Sequence, residues 1–413
     1  MTEFKMLDFL RKLLGQRILN YYHLAAAVVA NFIYGFPSKK LHVIGVTGTD
    51  GKTTTVNMIA SVLRSGGLSV SHLSTINAQI GDEIFDTGLH TTTPSSFLLQ
   101  KLLAQMVRAR SEYAVVEVTS HALDQHRTWG IDFETAVITN VTHEHLDYHK
   151  TYEEYVAAKA RLFRGAENKV LNADDKSYEF LPSDKALAYG LGGSAQVRAE
   201  NIREELTGTD FDAATPQGRF PVTLHLPGRF NVYNALAAVS VGLIYEISVE
   251  NLQKGLIGVG GIKGRLETVS SNVMVDFAHT PNALERLLEF LRPKISGQLI
   301  LVFGSAGERD KSKRLLMGQV ADKFADKIIL TREDNRSERV EDICREISEG
   351  IKSKEFKIIP DRREAIKAAL RLAQGSNDLV VITGKGHEQS LNIDGRETPW
   401  DDKKIILEEL AKS

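Results

Sequence analysis

The sequence is poor in cysteine, in net charge and in long apolar stretches. Its single cysteine, Cys344, cannot form an internal disulfide and excludes a metal site built from several cysteines. The formal net charge of −2 gives no electrostatic reason to expect a nucleic acid as partner. Hydrophobic residues make up 42% and charged residues 25%, as in an ordinary globular protein. Together these features fit a cytoplasmic location.

The longest apolar stretch covers residues 21–36 and is too short to cross a membrane. A spanning helix needs about 20 apolar residues, whereas His23 and Asn31 interrupt this one. It also lacks the small-residue cleavage pattern of a signal peptide. We expect residues 1–40 to form a helical segment packed on the body of the protein. Contact with a membrane or a partner protein stays open, because basic residues precede the stretch at Lys5, Arg11, Lys12 and Arg17.

At 413 residues, the chain is too long for one core and predicts two or three domains. Short apolar strands alternate with helical patterns in both halves, which is typical of α/β folds with parallel sheets. We predict a central domain over 41–262 with a P-loop-type, mostly parallel sheet, and a Rossmann-like domain over 263–413. Alternating residues between 196 and 226 predict antiparallel strands, and glycines at 255–264 suggest a hinge.

A candidate phosphate loop follows the first predicted strand. Glycines let backbone N–H groups approach phosphate oxygens, and the N-terminus of the next helix favours anions. Lys52 would supply a positive charge, and the Thr53 hydroxyl could bind Mg²⁺. The strict phosphate-loop pattern is not met, since Val46 stands where it requires glycine. The loop comprises Gly48, Thr49, Asp50, Gly51, Lys52, Thr53 and Thr54.

Three further segments carry candidate chemistry. Glu117 ends a predicted buried strand, where ligands of open α/β sheets bind, and is a natural Mg²⁺ ligand. His143, His145 and His149 follow a second strand; zinc binding, packing and surface positions all remain open for them. Lys159, taken alone, would be an ordinary lysine on a helix surface.

In combination, these segments resemble the Mur ligase family. The similarity covers about residues 41–405 and is closest to the members that add the third residue of the peptidoglycan stem peptide. So many motifs in one order make a chance match very unlikely. The matching segments are residues 48–54, 117–127, 139–149, 155–163, 228–234, 264–267, 276–281, 303–304, 307–311 and 384–388.

The resemblance implies an ATP-dependent ligase that joins an amino acid to a muramyl-peptide-like or other peptide carboxylate through an acyl phosphate. It implies catalytic roles for Lys52, Glu117, His145 and Lys159. Thr53 and Glu117 would share one Mg²⁺, Glu117 and His145 a second, and Lys159 would contribute as a carbamate. ATP would contact the phosphate loop together with Asn231, Arg265, Asp276 and His279.

Two substrate sites are also implied by the resemblance. The carboxylate-bearing peptide would contact Thr92, Thr93, Ser120, Gln125 and Arg127. The incoming amino acid would contact Arg309, Asp334, Arg336, Gly384 and Glu388.

The chain departs from the family at two places. Asn335 stands where the amino-acid signature has proline, although Arg336 resembles enzymes that accept meso-diaminopimelate. Family members carry a UDP-sugar-binding domain before the phosphate loop; since this loop begins at residue 48, we expect that domain to be missing. Two alternatives stay open, a ligase similar to folylpolyglutamate synthase and a Mur-like subunit that depends on a partner.

Overall fold

The computed structural model describes residues 3–81, 83–85, 92–142, 144–375 and 377–412. The chain begins with one long helix, α1 (Glu3–Tyr34), followed by a 3₁₀ turn at Pro37–Lys40. One face of α1 packs against the central domain, with Leu19, Ala27, Ala30 and Asn31 buried. No described helix is long and apolar enough to cross a membrane.

A sheet of eleven strands forms the core of the central domain. Seven consecutive strands of its order, from β9 to β2, pair in parallel, and antiparallel strands extend both edges. The strand order is β11-β10-β9-β8-β7-β6-β1-β5-β2-β3-β4. The strands are β1 (His42–Thr47), β2 (Val70–Leu73), β3 (Ala78–Ile80), β4 (Glu83–Phe85), β5 (Tyr113–Glu117), β6 (Phe133–Ile138), β7 (Asn168–Asn172), β8 (Leu187–Gly190), β9 (Val197–Glu205), β10 (Gly208–Thr215) and β11 (Gly218–Leu224).

Helices cover both faces of this sheet and divide its core into two apolar layers. One layer contains side chains of α2, α7 and α8, and the other contains side chains of α3 and α6. The helices are α2 (Lys52–Ser65), α3 (Ser96–Arg108), α4 (Ser120–Asp124), α5 (Leu146–His149), α6 (Tyr152–Ala160), α7 (Arg229–Ile244) and α8 (Val249–Ile257).

The C-terminal region contains a second sheet, with the order β12-β13-β17-β14-β15-β16 and one antiparallel edge pair. A separate hairpin, β18–β19, lies outside this sheet. The strands are β12 (Glu267–Ser270), β13 (Val273–Val275), β14 (Leu299–Phe303), β15 (Lys327–Leu330), β16 (Glu355–Ile358), β17 (Leu379–Ile382), β18 (Ser390–Ile393) and β19 (Arg396–Pro399). The helices are α9 (Pro281–Leu291), α10 (Ser312–Phe324), α11 (Val340–Ser348), α12 (Arg362–Leu372) and α13 (Asp402–Leu410).

The predicted fold class is confirmed, with two mostly parallel sheets and the antiparallel strands expected between residues 196 and 226. The glycine-rich stretch predicted as a hinge begins within a helix, because Gly255 belongs to α8, which continues to Ile257. A Cβ atom at Gly255 would lie 2.5 Å from the Val62 Cα, so this glycine allows α8 to approach α2 closely. The domain limits at 40/41 and 262/263 stay a prediction.

Candidate active site

The phosphate loop connects β1 to α2 and curls around the first turn of that helix. Gly51 has a φ of 82°, a backbone conformation that favours glycine. A Cβ atom there would also lie 2.4 Å from the Asn234 Oδ1, so there is no room for a side chain. Asn140 fixes the loop from the neighbouring strand, accepting from the Asp50 N–H at 3.0 Å and donating to its carbonyl at 3.0 Å. The open N–H groups of α2 therefore face the space above the sheet.

Two lysines converge on the carbonyl oxygen of Gly48. Lys52 Nζ donates to it at 3.2 Å and to the Thr49 carbonyl at 2.8 Å. Lys159 Nζ donates to the same Gly48 oxygen at 2.6 Å and lies 4.3 Å from the centre of the Tyr155 ring. Burial, and then the nearby charge of Lys52, hold the pKa of Lys159 well below its usual value. Lys159, which taken alone would be an ordinary surface lysine, is thus a buried amine directly behind the loop.

Glu117, at the end of β5, is held by hydroxyl and amide donors. Thr53 Oγ1 donates to its Oε2 at 3.0 Å, and Thr75 donates through its N–H and its hydroxyl at 2.8 and 2.9 Å. Oxygen ligands of this kind suit Mg²⁺. Because Thr53 and Glu117 lie together in the wall of one cleft, the donor set fits the predicted magnesium site.

His145 lies beside this donor set in a left-handed backbone conformation, with φ of 58°. Strained conformations of this kind cluster at functional sites. Burial and the neighbouring His121 and Lys159 hold the pKa of His145 far below its usual range, which leaves the imidazole neutral and able to bind a metal. Within the described residues, no group of three or more metal-binding side chains is assembled, so the zinc alternative gains no support there. His143 lies outside the described residues.

The opposite wall of the cleft comes from the C-terminal region. Asp276 accepts from the N–H groups of Leu266 and Ala278, both at 2.7 Å, and orients the segment that carries Arg265. The Arg265 guanidinium lies 4.5 Å from the centre of the Phe277 ring and lines the cleft opposite Lys52. His279 is held by the Phe277 carbonyl at 2.9 Å, and burial lowers its pKa to about 3.

Asn231, predicted to contact nucleotide, also lines the cleft from α7. Its amide donates to the Pro227 carbonyl at 2.8 Å and its Oδ1 accepts from Asn234 at 3.0 Å. Asn234 in turn accepts from the Thr55 hydroxyl at 3.2 Å, so this chain of hydrogen bonds joins α7 to α2 beneath the phosphate loop.

The residues predicted to hold the carboxylate-bearing peptide occupy two layers. Thr92 lines the cleft. Thr93 lies behind it, bridging the Glu117 carbonyl and the Thr119 N–H and accepting from Arg127 through its own carbonyl at 2.6 Å. Ser120 is hydrogen-bonded to His149 at 3.0 Å. Thr93, Ser120, Gln125 and Arg127 do not line the main cleft.

The residues predicted to hold the amino acid all reach the cleft. Arg336 Nη1 donates to the Gly307 carbonyl at 2.7 Å. Asn335, at the family's proline position, closes the turn by donating through its amide to the carbonyls of Arg336 and Glu338 at 3.2 and 2.9 Å. These bonds fix the loop without a proline ring. The cleft residues of this group are Arg309, Asp334, Arg336, Gly384 and Glu388.

Beneath them lies a cluster of buried charges. Lys385 Nζ donates to Asp334 Oδ1 at 2.7 Å and pairs with Glu388. Burial opposes the charge of Lys385, but Glu388 and Asp334 outweigh it and raise its pKa. Glu333 is fully buried beside them, and its Oε2 has no hydrogen-bond partner within the described residues. Burial raises the pKa of Glu333 to about 7.

Comparison with known proteins agrees with this arrangement. Residues 46–242 match the Mur ligase middle domain and residues 264–386 match the Mur ligase, glutamate ligase domain. A curated relative from Clostridium acetobutylicum, UDP-N-acetylmuramoyl-L-alanyl-D-glutamate–2,6-diaminopimelate ligase 1, is 41% identical; the alignment covers 93% of this chain and 81% of that one. The chain belongs to the Mur ligase family.

A Mur ligase is an ATP-dependent enzyme that forms amide bonds, and the family uses ATP and Mg²⁺. A solved UDP-N-acetylmuramoyl-L-alanyl-D-glutamate–2,6-diaminopimelate ligase superposes with a TM-score of 0.60 at 35% identity, covering 90% of this chain and 78% of that one. Folylpolyglutamate synthase from Mycobacterium tuberculosis superposes with a TM-score of 0.74 at 18% identity, covering 87% of this chain and 92% of that one. The latter likeness shows a shared fold alone.

For several residues of the Mur ligase cleft, the sequence predicted no role. Thr75 follows a strand of only four residues and matches no motif, although it donates twice to Glu117. Lys313 joins the two domains by donating to Glu144 Oε1 at 3.3 Å and to the His279 carbonyl at 3.0 Å. Its position two residues after a matched segment was the available signal. Glu333, adjacent to Asp334, could have been found in the same way.

Proposed function

We propose that this enzyme adds 2,6-diaminopimelate to the carboxylate of a muramyl dipeptide. The names of the relatives point to these substrates. The observation that carries the proposal is the charge pattern of the amino-acid end of the cleft. Arg309 and Arg336 line it together with the carboxylates of Glu333, Asp334 and Glu388.

This pattern complements a zwitterion with two carboxylates and two ammonium groups. A guanidinium can hold a carboxylate through two parallel hydrogen bonds, so two arginines match the two carboxylates of diaminopimelate. Lysine, with one carboxylate, would contact only one of the two arginines in this way. The partnerless Oε2 of buried Glu333 suits an ammonium donor, since an unsatisfied buried acceptor is costly.

At the phosphate end, we assign the charge-neutralising roles to Lys52 and Arg265. An oxygen of the substrate carboxylate attacks the γ-phosphorus of ATP, and ADP leaves. The amine nitrogen then attacks the acyl carbon, loses a proton and expels phosphate. Positioning and charge neutralisation supply most of the catalysis in phosphoryl transfer. Thr53, Glu117 and His145 would hold the two Mg²⁺ ions, which neutralise phosphate charge when bound.

We assign a carbamate to Lys159. Only a neutral amine adds CO₂, and burial beside Lys52 favours the neutral form of Lys159. The added carboxylate would place an anionic oxygen near the metal ligands, where an ammonium would be repelled.

The acyl-peptide residues are proposed to act in two ways. Thr92 would contact the peptide directly, while Thr93, Ser120, Gln125 and Arg127 would shape the segments behind it. Arg127 supports this division, because its guanidinium donates to the Thr93 carbonyl at the back of the site. Use of ATP and of a free amino acid suits a cytoplasmic location.

Phosphate release by the purified chain tests the proposal. Three acyl acceptors would be compared: UDP-muramyl dipeptide, the muramyl dipeptide without nucleotide, and the free dipeptide. Each would be paired with diaminopimelate and with lysine.

We expect phosphate release only with a muramyl dipeptide, and faster release with diaminopimelate than with lysine. A preference for lysine would contradict the charge argument. Release that requires a second protein would favour the partner-dependent alternative, and release with a folate acceptor would favour the folylpolyglutamate alternative.

A further inference from the structure

Helix α1 has apolar side chains on the face turned away from the protein. Its exposed residues recur at helical spacing, and the exposed fractions of Tyr21, Phe32 and Ile33 reach 73%, 69% and 63%. We call this set the outer face of α1: Ile18, Tyr21, Tyr22, Ala25, Val29, Phe32 and Ile33.

Exposed apolar residues are concentrated there. Six of the seventeen large hydrophobic residues exposed in the described part of the chain belong to this one face. Nearby surface adds more. Phe97 and Leu98 are exposed on α3, against which α1 packs, and exposed Trp129 accepts from Asn31 of α1 through its carbonyl at 2.7 Å. An exposed apolar helix face of this kind marks an interaction site.

The inner face of α1 holds the outer face in a fixed orientation. Asn20 donates to the carbonyl and the carboxylate of Asp124, both at 3.2 Å. Asn31 donates to Trp129, and Ser38, just after the helix, donates to the Gly130 carbonyl at 3.1 Å. The helix is therefore anchored between Asn20 and its C-terminal end, and the apolar face points outward rather than into the core.

Basic residues flank the apolar face. Residues 18–36 contain no Asp, Glu, Lys or Arg. Lys39 and Lys40, both exposed, follow this stretch, and the chain before it carries four basic residues against only two acidic ones, Glu3 and Asp8. Residues 1–40 thus carry a net charge of +4, whereas the whole chain carries −2.

This charge arrangement favours an anionic surface over a second copy of the chain. Two α1 helices packed in parallel would bring their basic N-terminal segments together. Packed antiparallel, each N-terminal segment would meet the Lys39 and Lys40 of its partner. Both pairings place like charges in contact, whereas anionic lipid headgroups complement the same charges. Tyrosines at the edge of an apolar face also suit the boundary between lipid and water.

We propose that the outer face of α1 seats the enzyme on an anionic lipid bilayer, with the helix axis in the plane of the membrane. The helical part of this uncharged stretch, residues 18–34, has 17 residues and spans about 26 Å at 1.5 Å per residue. Lying flat, it buries its apolar side chains at the headgroup boundary while the flanking lysines and arginines contact the headgroups. This inference does not depend on the identity of either substrate.

Vesicle flotation of the full chain tests the proposal. The vesicles would be pure phosphatidylcholine or an equimolar mixture with phosphatidylglycerol. The variants are Phe32→Glu, which charges the outer face, and Lys39→Glu/Lys40→Glu, which inverts the flanking charge. Leu407→Glu is the matched control, since Leu407 is an exposed apolar residue of 47% exposure on α13. Unchanged thermal unfolding would verify that each variant is folded.

We expect the wild type and Leu407→Glu to float with the mixed vesicles and to bind pure phosphatidylcholine more weakly. Phe32→Glu should reduce the bound fraction by about tenfold or more. Lys39→Glu/Lys40→Glu should lose most of the electrostatic part of the binding to mixed vesicles. High salt should remove the same part from the wild type. Absence of flotation of the wild type, or equal binding by Phe32→Glu and Leu407→Glu, would overturn the proposal. A concentration-dependent dimer that Phe32→Glu abolishes, without lipid binding, would assign this face to a second copy instead.

Discussion

Two buried lysines occupy opposite sides of the same cleft and have opposite electrostatics. Lys159, behind the phosphate loop, donates to a backbone carbonyl, and burial together with Lys52 lowers its pKa. Lys385, on the amino-acid side, contacts the carboxylates of Asp334 and Glu388, which raise its pKa against the effect of burial. Burial is thus common to both lysines, and the neighbouring charges decide the protonation state.

The opposite pKa shifts suit the different roles that we assign to the two lysines. A neutral amine is a nucleophile that can be modified, which suits the carbamate proposed for Lys159. A paired ammonium is a fixed charge, and Lys385 organises the acidic residues that we assign to the amino acid. The following predictions test this contrast.

Lys52→Ala should have the largest effect. It removes a positive charge that we assign to the ATP phosphates, and we expect phosphate release to fall by at least about 10³-fold. Lys101→Ala, which changes an exposed lysine on α3, should retain full activity. Undiminished phosphate release by Lys52→Ala would reject the assignment of the phosphate loop.

Lys159→Ala should lower phosphate release by about 100-fold, because a metal ligand would be lost. Formate or acetate should restore part of the activity by supplying a carboxylate to the vacated space. The same anions should not rescue Lys52→Ala, which serves as the control. If Lys159→Ala keeps wild-type activity, the carbamate has no role.

Arg336→Ala should raise the KM for diaminopimelate by about 10- to 100-fold, as expected for the loss of a charge-assisted hydrogen bond. The KM for ATP should stay unchanged. Arg339→Ala is the matched control, since its side chain is 75% exposed three residues away. Equal KM values in the two variants would remove Arg336 from the amino-acid site.

Lys385→Met and Lys159→Met compare the stability contributed by the two lysines. Lys385→Met removes the ammonium that contacts two largely buried carboxylates, and we expect it to cost about 2–3 kcal/mol. That is less than for a fully buried pair, since the side chains of Asp334 and Glu388 keep 12% and 16% exposure. Lys159→Met, which breaks no ion pair within the described residues, should cost less than about 1 kcal/mol. Urea unfolding would measure the free energy of unfolding of both variants. A larger loss of stability for Lys159→Met than for Lys385→Met would contradict the expected difference between the two lysines.

Much of the fold could be predicted because its strands are short, apolar and bounded by loops. The alternation of short apolar strands and helices that was predicted for both halves is present in both. The predicted hinge includes Gly255 of α8, because a glycine within a helix and a glycine within a linker look alike in the sequence. Close contact between α8 and α2, which the sequence does not display, explains Gly255.

The candidate site could be predicted where its residues lie in motifs. Glu117, His145 and Arg265 belong to matched segments, and all three line the cleft. Thr75 and Lys313 could not be assigned, because their roles arise from contacts with Glu117 and Glu144, each more than forty residues away in the chain. Arg127 donates to the Thr93 carbonyl, and its contact with substrate stays a prediction.

By itself, the sequence determined the fold class, the order of the motifs and the Mur ligase family, because these depend on local patterns of residue type and spacing. Tertiary structure decided the states of the charged groups. The pKa of Lys385 is raised and that of Lys159 is lowered because of what folding brings near each of them, and electrostatic energies in a buried site depend on those distances. Tertiary structure also decided which apolar residues of α1 are buried. They form an inner and an outer face because the helix packs on the central domain.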